Sequence, residues 1–444
     1  MRPRERRETG EQDLFRSRLD QIIAMSHPLA RLSRAIDWRF LEEQFGAVYT
    51  DGVGRPPLPT RLMAGLAILK HTYNLSDEAV CALWIENPYY QYFCGEEFFQ
   101  HELPLERSSM TNWRNRMGEE RLRALLQESL AVATRTGAMK PSDLACVVVD
   151  TTVQPKNVTF PTDAKLVNRA REKLVKLAKR LGVVPRQSYA RVGKIELIRH
   201  QRYAHARQFK RANKALRKLK TYLIRDIKRK IADDDFLQTK FAWLLNLAGR
   251  VREQERGQRG PKVYSLHAPE VECIGKGKPH KPYEFGVKVS VATTLKRCKG
   301  GQFAIHAEAL PGNPYDGHTL ARVIPAIEQL VGNTIERIHA DAGYRGHNAP
   351  TDYKFKVYTS KQKRGVTPQI QREMRRRAAI EPVIGHIKHE HRMERNYLAH
   401  RHGDANNAVL AAAGYNFSLL IRWLRFLLRF VSALLSAAPE LAAA

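Results

Sequence analysis

Residues 144–152 read LACVVVDTT, a short apolar run that stops at a carboxylate. Consecutive valines favour a strand, because β-branched side chains suit a pleated surface, and an unbroken apolar run is typical of a strand buried on both faces. The run ends at Asp150, which two threonines follow. We therefore predict a buried strand with an acidic residue at its carboxyl end.

Further strands are predicted downstream of this one, at residues 263–267, 283–293, 303–310, 335–341 and 355–359. Apolar residues at helical spacing predict a helix over 320–330, between the third and fourth of these strands, and a last helical region begins near Thr367. Strands that first follow one another and then alternate with helices are typical of an α/β domain.

The chain is strongly basic, and its positive charge is unevenly distributed. It has 75 Lys and Arg against 45 Asp and Glu in 444 residues, a net charge of +30 at pH 7. Residues 163–260 alone contain 28 Lys and Arg against 9 Asp and Glu, an excess of 19. Clustered cations bind nucleic acid by releasing counterions from its phosphates, so we predict that this helical insertion grips DNA; a solvated charged face is the alternative.

A second DNA contact is predicted before the first strand. Residues 36–140 contain several short helical patterns, and one that begins near Ser109 carries Trp113, Arg114 and Arg116. Short helices joined by turns suit a helix-turn-helix reader of DNA, and an ordinary helical bundle is the alternative. We predict that these three side chains take part in sequence readout.

Several classes of protein are disfavoured by composition. Five cysteines without a CxxC pair argue against a disulfide framework and a zinc ribbon. The basic first 13 residues lack the apolar core of a secretory signal, and three arginines interrupt the apolar stretch at 409–435. We therefore expect a cytoplasmic, nucleoid-associated protein.

Three carboxylates occupy positions suited to metal chemistry. Asp150 and Asp341 each end a predicted strand, and Glu381 lies in a helical stretch 40 residues after the second. Such an arrangement can hold two divalent cations that activate a hydroxyl and stabilise the leaving oxygen in phosphodiester displacement. Taken singly, each acid has another interpretation: a turn former, a helix cap or a surface acid.

Basic residues flank this acidic set. Arg377 and Lys388 lie on the same helical face as Glu381, where they could bind phosphates; an exposed ion-pair ladder is the alternative. Pro382 predicts that the helix begins or bends at Glu381. Tyr344 and Arg345 follow the second strand end, where they could contact a scissile phosphate or serve packing.

Four segments resemble the DDE transposases of bacterial insertion sequences, specifically the insertion sequence five group. They are VVDTT at 148–152, GNPYDGHTL at 312–320, HADAGYRG at 339–346 and IEPVIGHIK at 380–388. The resemblance runs from about residue 36 to the carboxyl terminus. The family's Tyr-Arg-Glu-Lys signature maps onto Arg377, Glu381 and Lys388, but Met374 stands at the tyrosine position.

The resemblance implies an RNase H-like core in which Asp150, Asp341 and Glu381 bind Mg²⁺, with Mn²⁺ as a substitute, and cut DNA at transposon ends. It also implies joining of the freed 3′ ends to target DNA by a homodimer. A nuclease or resolvase without strand transfer is one alternative, and an inactive DNA-binding protein is another. Relatives with a hairpin intermediate carry a large insertion between the second Asp and the Glu, and 40 residues leave no room for one here.

These observations predict five regions. They are a flexible basic leader at 1–35, a helical end-binding domain at 36–140, an RNase H-like core at 141–160 and 262–400, a basic helical insertion at 161–261, and carboxyl-terminal helices at 401–444 that pack on the core.

Overall fold

The computed structural model describes residues 17–49, 57–222, 224–255, 257–258, 260–275, 277, 279 and 282–441. The chain forms two compact units, the first made of residues 1–154 with 287–444 and the second of residues 155–286. The second unit contains the predicted insertion and extends beyond it at both ends.

Helices α1 to α7 begin the first unit. Ser76 caps α5 by accepting a hydrogen bond from the Ala79 amide, and Gly118, with a φ of 66°, interrupts α7. The helices are α1 Leu19–Ile22, α2 Pro28–Ala35, α3 Trp38–Gly46, α4 Thr60–Thr72, α5 Asp77–Glu86, α6 Pro88–Cys94 and α7 Arg107–Arg135.

The predicted flexible leader is wrong for residues 17–35. These residues contain α1 and α2, and Leu19, Leu29 and Leu32 are buried, because their apolar side chains fit the helical core. Residues 1–16 of that leader lie outside the described residues.

Six strands are found in the described residues, in the order β2-β3-β1-β5-β6, with β4 also paired to β3. Strands β1, β5 and β6 are parallel, whereas β3 is antiparallel to both β2 and β4. The strands are β1 Cys146–Pro155, β2 Glu272–Gly275, β3 Tyr283–Thr294, β4 Ala304–Leu310, β5 Arg337–Ala340 and β6 Val357–Thr359. Among the downstream predictions, four correspond to β3, β4, β5 and β6.

The predicted strand at 263–267 is wrong. Val263 and Leu266 are buried, as an apolar run predicts, but the Gln254 side chain takes the place of a neighbouring strand. Its Nε2 donates to the Val263 carbonyl at 3.3 Å, and its Oε1 accepts from the Val263 amide at 3.2 Å. The backbone amide and carbonyl of Val263 are therefore hydrogen-bonded although this residue does not join the sheet.

The second unit has its own hydrophobic core, built from its helices. Leu174, Phe241 and Val251 lie in this core. The helices are α8 Asp163–Arg180, α9 Ala190–His205, α10 Phe209–Thr221, α11 Ile224–Lys230 and α12 Asp235–Glu253.

The remaining helices of the first unit are α13 Leu320–Val331, α14 Pro368–Arg376, α15 Ile380–Glu390 and α16 His400–Leu441. A single helix, α16, stands where several carboxyl-terminal helices were predicted, and it packs on α4, α7 and β4. The buried Asn416 side chain donates to Ser129 Oγ at 2.9 Å and to the Ala304 carbonyl at 2.7 Å. Residues 36–140 therefore share one core with the sheet and do not form a separate domain.

All five cysteines are free thiols. Within the part of the chain that the structure describes, no helix is both long and apolar enough to cross a bilayer.

Candidate active site

The pairing of β1 with β5 brings two of the predicted acids together. These strands run parallel, and the last residues in register are Val149 and Ala340. Asp150 and Asp341 are the next residues along the two strands, so they lie side by side where this parallel pairing ends, a position we call the carboxyl edge of the sheet. The prediction that Asp150 ends its strand is wrong, because β1 stays paired with β3 and continues to Pro155. Neighbouring strands are about 4.8 Å apart, and side chains opposite one another point to the same face.

Each aspartate is held by a backbone amide that follows it. Asp150 Oδ1 accepts from the Thr151 amide at 2.7 Å, and Asp341 Oδ1 accepts from the Ala342 amide at 2.7 Å. Asp341 thereby begins the short 3₁₀ turn at Ala342–Tyr344. Both carboxylates are therefore oriented by the amide of the residue that follows, before any ligand is considered.

The surroundings of Asp150 disfavour its charged form. Burial raises the pKa of Asp150 to about 6, and the negative charges of Asp341 and Asp316 act in the same direction. The Thr151 amide and the guanidinium of Arg377 act against this rise. Burial is the main cause of this rise, so the charged form of Asp150 is destabilised, and a bound cation would stabilise it.

Asp316 is the fourth acid near this edge, and its partners were not predicted. Its Oδ1 accepts from Thr151 Oγ1 at 2.9 Å and from Lys288 Nζ at 2.9 Å, and Lys288 also donates to the Pro314 carbonyl at 2.7 Å. Asp316 thereby links Thr151 on β1 to Lys288 on β3, and the ammonium group of Lys288 neutralises it.

Glu381 is connected to Asp341 through Arg377. Arg377 Nη2 lies 3.8 Å from Asp341 Oδ1 and 3.9 Å from Glu381 Oε1, and the Glu381 side chain is 66% exposed. A short 3₁₀ turn over Arg377–Ala379 precedes α15, so Pro382 falls in the first turn of a helix, where it needs no amide donor. We call Asp150, Asp341, Glu381 and Arg377 the acid cluster.

A contact between a strand and a helix lies just before the acid cluster in the chain. On β5, Arg337 Nε and His339 Nε2 lie 3.0 and 3.1 Å from the same oxygen of the buried Glu373 on α14. Asp341 directly follows β5 and Arg377 directly follows α14, so this contact joins the two elements that lead to them. No local pattern in the sequence indicates this pairing.

Oxygen donors of this kind suit a hard divalent cation such as Mg²⁺. Among the described residues, however, no three acidic, histidine or cysteine side chains are close enough to hold one metal ion together. Asp150 and Asp341 are adjacent, while Arg377 stands between Asp341 and Glu381. The chemistry of the donor set therefore fits a cation, and Arg377 occupies the position between two of its ligands.

The candidate phosphate contacts of this edge differ in exposure. Arg345 is exposed just beyond the acid cluster, and Lys388 is partly exposed on α15, two turns after Glu381. Tyr344 is only 1% exposed, and burial followed by the charges of Asp150 and Asp316 raises the pKa of its hydroxyl well above its ordinary value. The Tyr344 side chain therefore packs in the core beneath the carboxyl edge of the sheet and does not present its hydroxyl to DNA.

Two of the three predicted readout residues are buried. Trp113 packs in the core edge to face with Phe45, and Arg114 forms a bidentate ion pair with Asp77 at 2.6 and 2.9 Å. Their assignment to base readout is therefore wrong, because the polar and basic pattern of this helix serves packing. Arg116 is exposed, with its guanidinium 5.3 Å from the ring centre of Tyr49.

Two comparisons with known proteins match parts of this chain. Residues 17–116 match the family described as "Transposase domain (DUF772)". A Rhizobium meliloti protein described as "Uncharacterized protein ORF8 in nfe locus" is 51% identical over 209 residues, which are 47% of this chain and the whole of that protein. No solved structure matches the chain.

Proposed function

We propose a function from the premise that this chain belongs to the family of the Rhizobium meliloti ORF8 protein and carries a transposase domain. The proposal is a DDE transposase of the insertion sequence five group, with an RNase H-like core, that cleaves DNA at transposon ends and joins the 3′ ends to target DNA. The carrying observation is the side-by-side position of Asp150 and Asp341 at the carboxyl edge of the sheet, with Glu381 linked through Arg377.

In this proposal, Asp150, Asp341 and Glu381 would hold Mg²⁺, or Mn²⁺ in its place. The bound ion would supply Lewis-acid activation of the phosphodiester and of the attacking hydroxyl. The chain's own residues orient the acids: the amides of Thr151 and Ala342 fix the two aspartates. Arg377, Lys388 and Arg345 would bind the phosphates on either side of the reacting group.

The proposed partner is double-stranded DNA. The positive charge of residues 163–260 supports a gripping role for the second unit, and the match at 17–116 supports a role for the helical part in binding transposon ends. Two ends must be processed together, so we propose a homodimer as the working form, acting on DNA in the cytoplasm.

The decisive experiment replaces Asp341 with asparagine and measures strand cleavage and end binding on a supercoiled donor. We expect cleavage to fall by a factor of about a thousand or more, because a ligand of the reacting phosphate's cation is lost, while end binding is retained. The matched control is Asp352→Asn, which changes an exposed aspartate of a 3₁₀ turn outside the acid cluster. Unchanged cleavage by the Asp341 variant would refute the assignment.

Strand transfer distinguishes the transposase from a nuclease or resolvase of similar core. With pre-cut ends, the transposase joins the 3′ hydroxyl to target DNA, and a nuclease yields no joined product. Full-affinity DNA binding without nicking, in the presence of Mg²⁺, would favour an inactive DNA-binding protein.

A further inference from the structure

A cavity of about 760 Å³ lies in the first unit, away from the acid cluster. Residues from α4, α5, α7 and the segment that joins α15 to α16 line it. Its charged lining includes Lys70, Asp77, Arg114 and Arg392, and we call this cavity the basic pocket.

The centre of the basic pocket is a carboxylate shared by two buried cations. Asp77 accepts from Lys70 Nζ at 2.7 Å and from Arg114 Nη1 and Nη2 at 2.9 and 2.6 Å. Lys70 is 5% exposed and Arg114 is 2% exposed. One negative charge therefore serves two cations that are almost completely removed from water.

A third cation adds to this imbalance. Arg392 is half-buried and donates to the Asn74 carbonyl at 3.2 Å. Burial, the charge of Arg114 and then that of Arg392 lower the pKa of Lys70 to about 8, although Asp77 acts in the opposite direction. Asp77 and the exposed Glu78 are the two acids of the lining, so the lining places two carboxylates against three Lys and Arg side chains and holds positive charge that its acids do not balance.

Two lining residues adopt backbone conformations that non-glycine residues rarely take. Arg392 has a φ of 70° and His400 has a φ of 64°. Such conformations cost about 1 kcal/mol or more each and persist where surrounding structure imposes them. Both residues line the wall of the pocket.

We propose that the basic pocket binds a backbone phosphate of DNA. A phosphate supplies the missing negative charge, and its oxygens match the donors of Arg392 and Asn115, which line the pocket with Thr111. The choice of DNA rests on the proposed function, since residues 70, 77, 111, 114 and 115 all lie within the matched transposase domain. The pocket would then fix the register of a duplex by contacting its backbone, without reading bases.

The test measures binding of a transposon-end duplex to the full chain carrying Asp341→Asn, so that cleavage does not interfere. We expect Arg392→Gln to weaken binding about tenfold and to lower the salt slope by about one, as for loss of one phosphate contact. The matched control is Arg395→Gln, an exposed arginine three residues further on that does not line the pocket. Equal losses for the two variants would overturn the proposal.

A second pair of variants leaves the buried ion pairs intact. Asn115→Asp adds a negative charge to the pocket wall, and Asn112→Asp adds the same charge on the same helix outside it. We expect the first to weaken DNA binding at least tenfold more than the second. Similar affinities for these two variants would contradict the pocket even if Arg392→Gln fails to fold.

Calorimetry with inorganic phosphate at constant ionic strength separates a DNA site from a site for a free anion. Phosphate binding that Arg392→Gln abolishes, with unchanged DNA affinity, would assign the pocket to a free phosphate and overturn the DNA proposal. Because all these readouts are binding, they stand even if no cleavage is found. If the wild-type protein cleaves DNA but the pocket variants bind DNA normally, the proposed function stands and the pocket is not a phosphate site.

Discussion

The acid cluster and the basic pocket both combine carboxylates with cations, but in opposite proportions. The pocket places one carboxylate between two cations, and the acid cluster places one guanidinium between two carboxylates. In the pocket, one carboxylate accepts three hydrogen bonds of 2.6–2.9 Å from Lys70 and Arg114. In the acid cluster, one guanidinium stands 3.8 and 3.9 Å from two carboxylates without a close hydrogen bond to either. Asp77 is therefore tightly paired with its cations, whereas Arg377 is only loosely paired with Asp341 and Glu381.

The pKa values follow the same contrast. Burial raises the pKa of Asp77, but hydrogen bonds from Arg114 and the charge of Lys70 outweigh it and hold that pKa well below its ordinary value. For Asp150, burial prevails and the pKa rises to about 6. Direct partners thus stabilise a buried carboxylate, and distant ones leave it in need of a cation.

The largest expected effect comes from breaking the tight ion pairs of the pocket with Asp77→Asn. Two buried cations would lose their common anion, so we expect the free energy of unfolding to fall by about 3–5 kcal/mol. Urea unfolding at pH 7 measures this change. Glu43→Gln is the control, because its pair with Arg39 is exposed on both sides and should contribute less than about 1 kcal/mol.

The substitution Asp150→Asn should raise the free energy of unfolding, whereas Asp77→Asn lowers it. The raised pKa means that the native state binds a proton more tightly than the unfolded chain, so stability falls as pH rises from about 4 to about 6. Asparagine keeps the acceptor for the Thr151 amide and removes this loss. We expect a gain of about 2 kcal/mol at pH 8 that disappears near pH 4, measured by urea unfolding at both pH values. A destabilised variant at pH 8 would contradict the raised pKa of Asp150.

Arg377→Gln should change stability least. Its contacts are long and its partners exposed, so we expect a loss below about 1 kcal/mol. The pKa of Asp150 should rise further, because the positive charge that opposes the rise is gone. Carboxyl NMR titration checks this, with the exposed neighbour Arg376→Gln as the control. An unchanged Asp150 titration would show that Arg377 does not act on the cluster.

The sequence predicted the parts of this site that depend on local pattern. Asp341 was correctly placed at the end of its strand, and Asp150 at the end of the apolar run 144–149, although β1 itself continues to Pro155. Parallel pairing of β1 with β5 then brings the two acids together. Lys288 and Glu373 could not be found in this way, because their partners are distant in the chain and no spacing rule links them. Their contacts depend on which strand and helix become neighbours.

Two of the wrong predictions have a similar origin. Trp113 and Arg114 have the composition of a DNA-contacting helix, but the fold places a carboxylate, Asp77, where Arg114 can bond it. Residues 263–267 have the composition of a strand, but Gln254 satisfies the Val263 backbone first. In each case a side chain from another element forms the hydrogen bonds that the local pattern predicted with DNA or with a neighbouring strand.

The connection between β1 and β3 has a consequence for how this protein can change. The Leu295 amide donates to the Cys146 carbonyl, and the Lys156 amide donates to the Phe285 carbonyl, so the two strands run antiparallel as the arms of a hairpin. Residues 155–286 are then, topologically, the loop of that hairpin. Closing a longer loop costs only a slowly growing entropy, so evolution can enlarge, trim or exchange this segment while the strand edge beside Asp150 keeps its alignment.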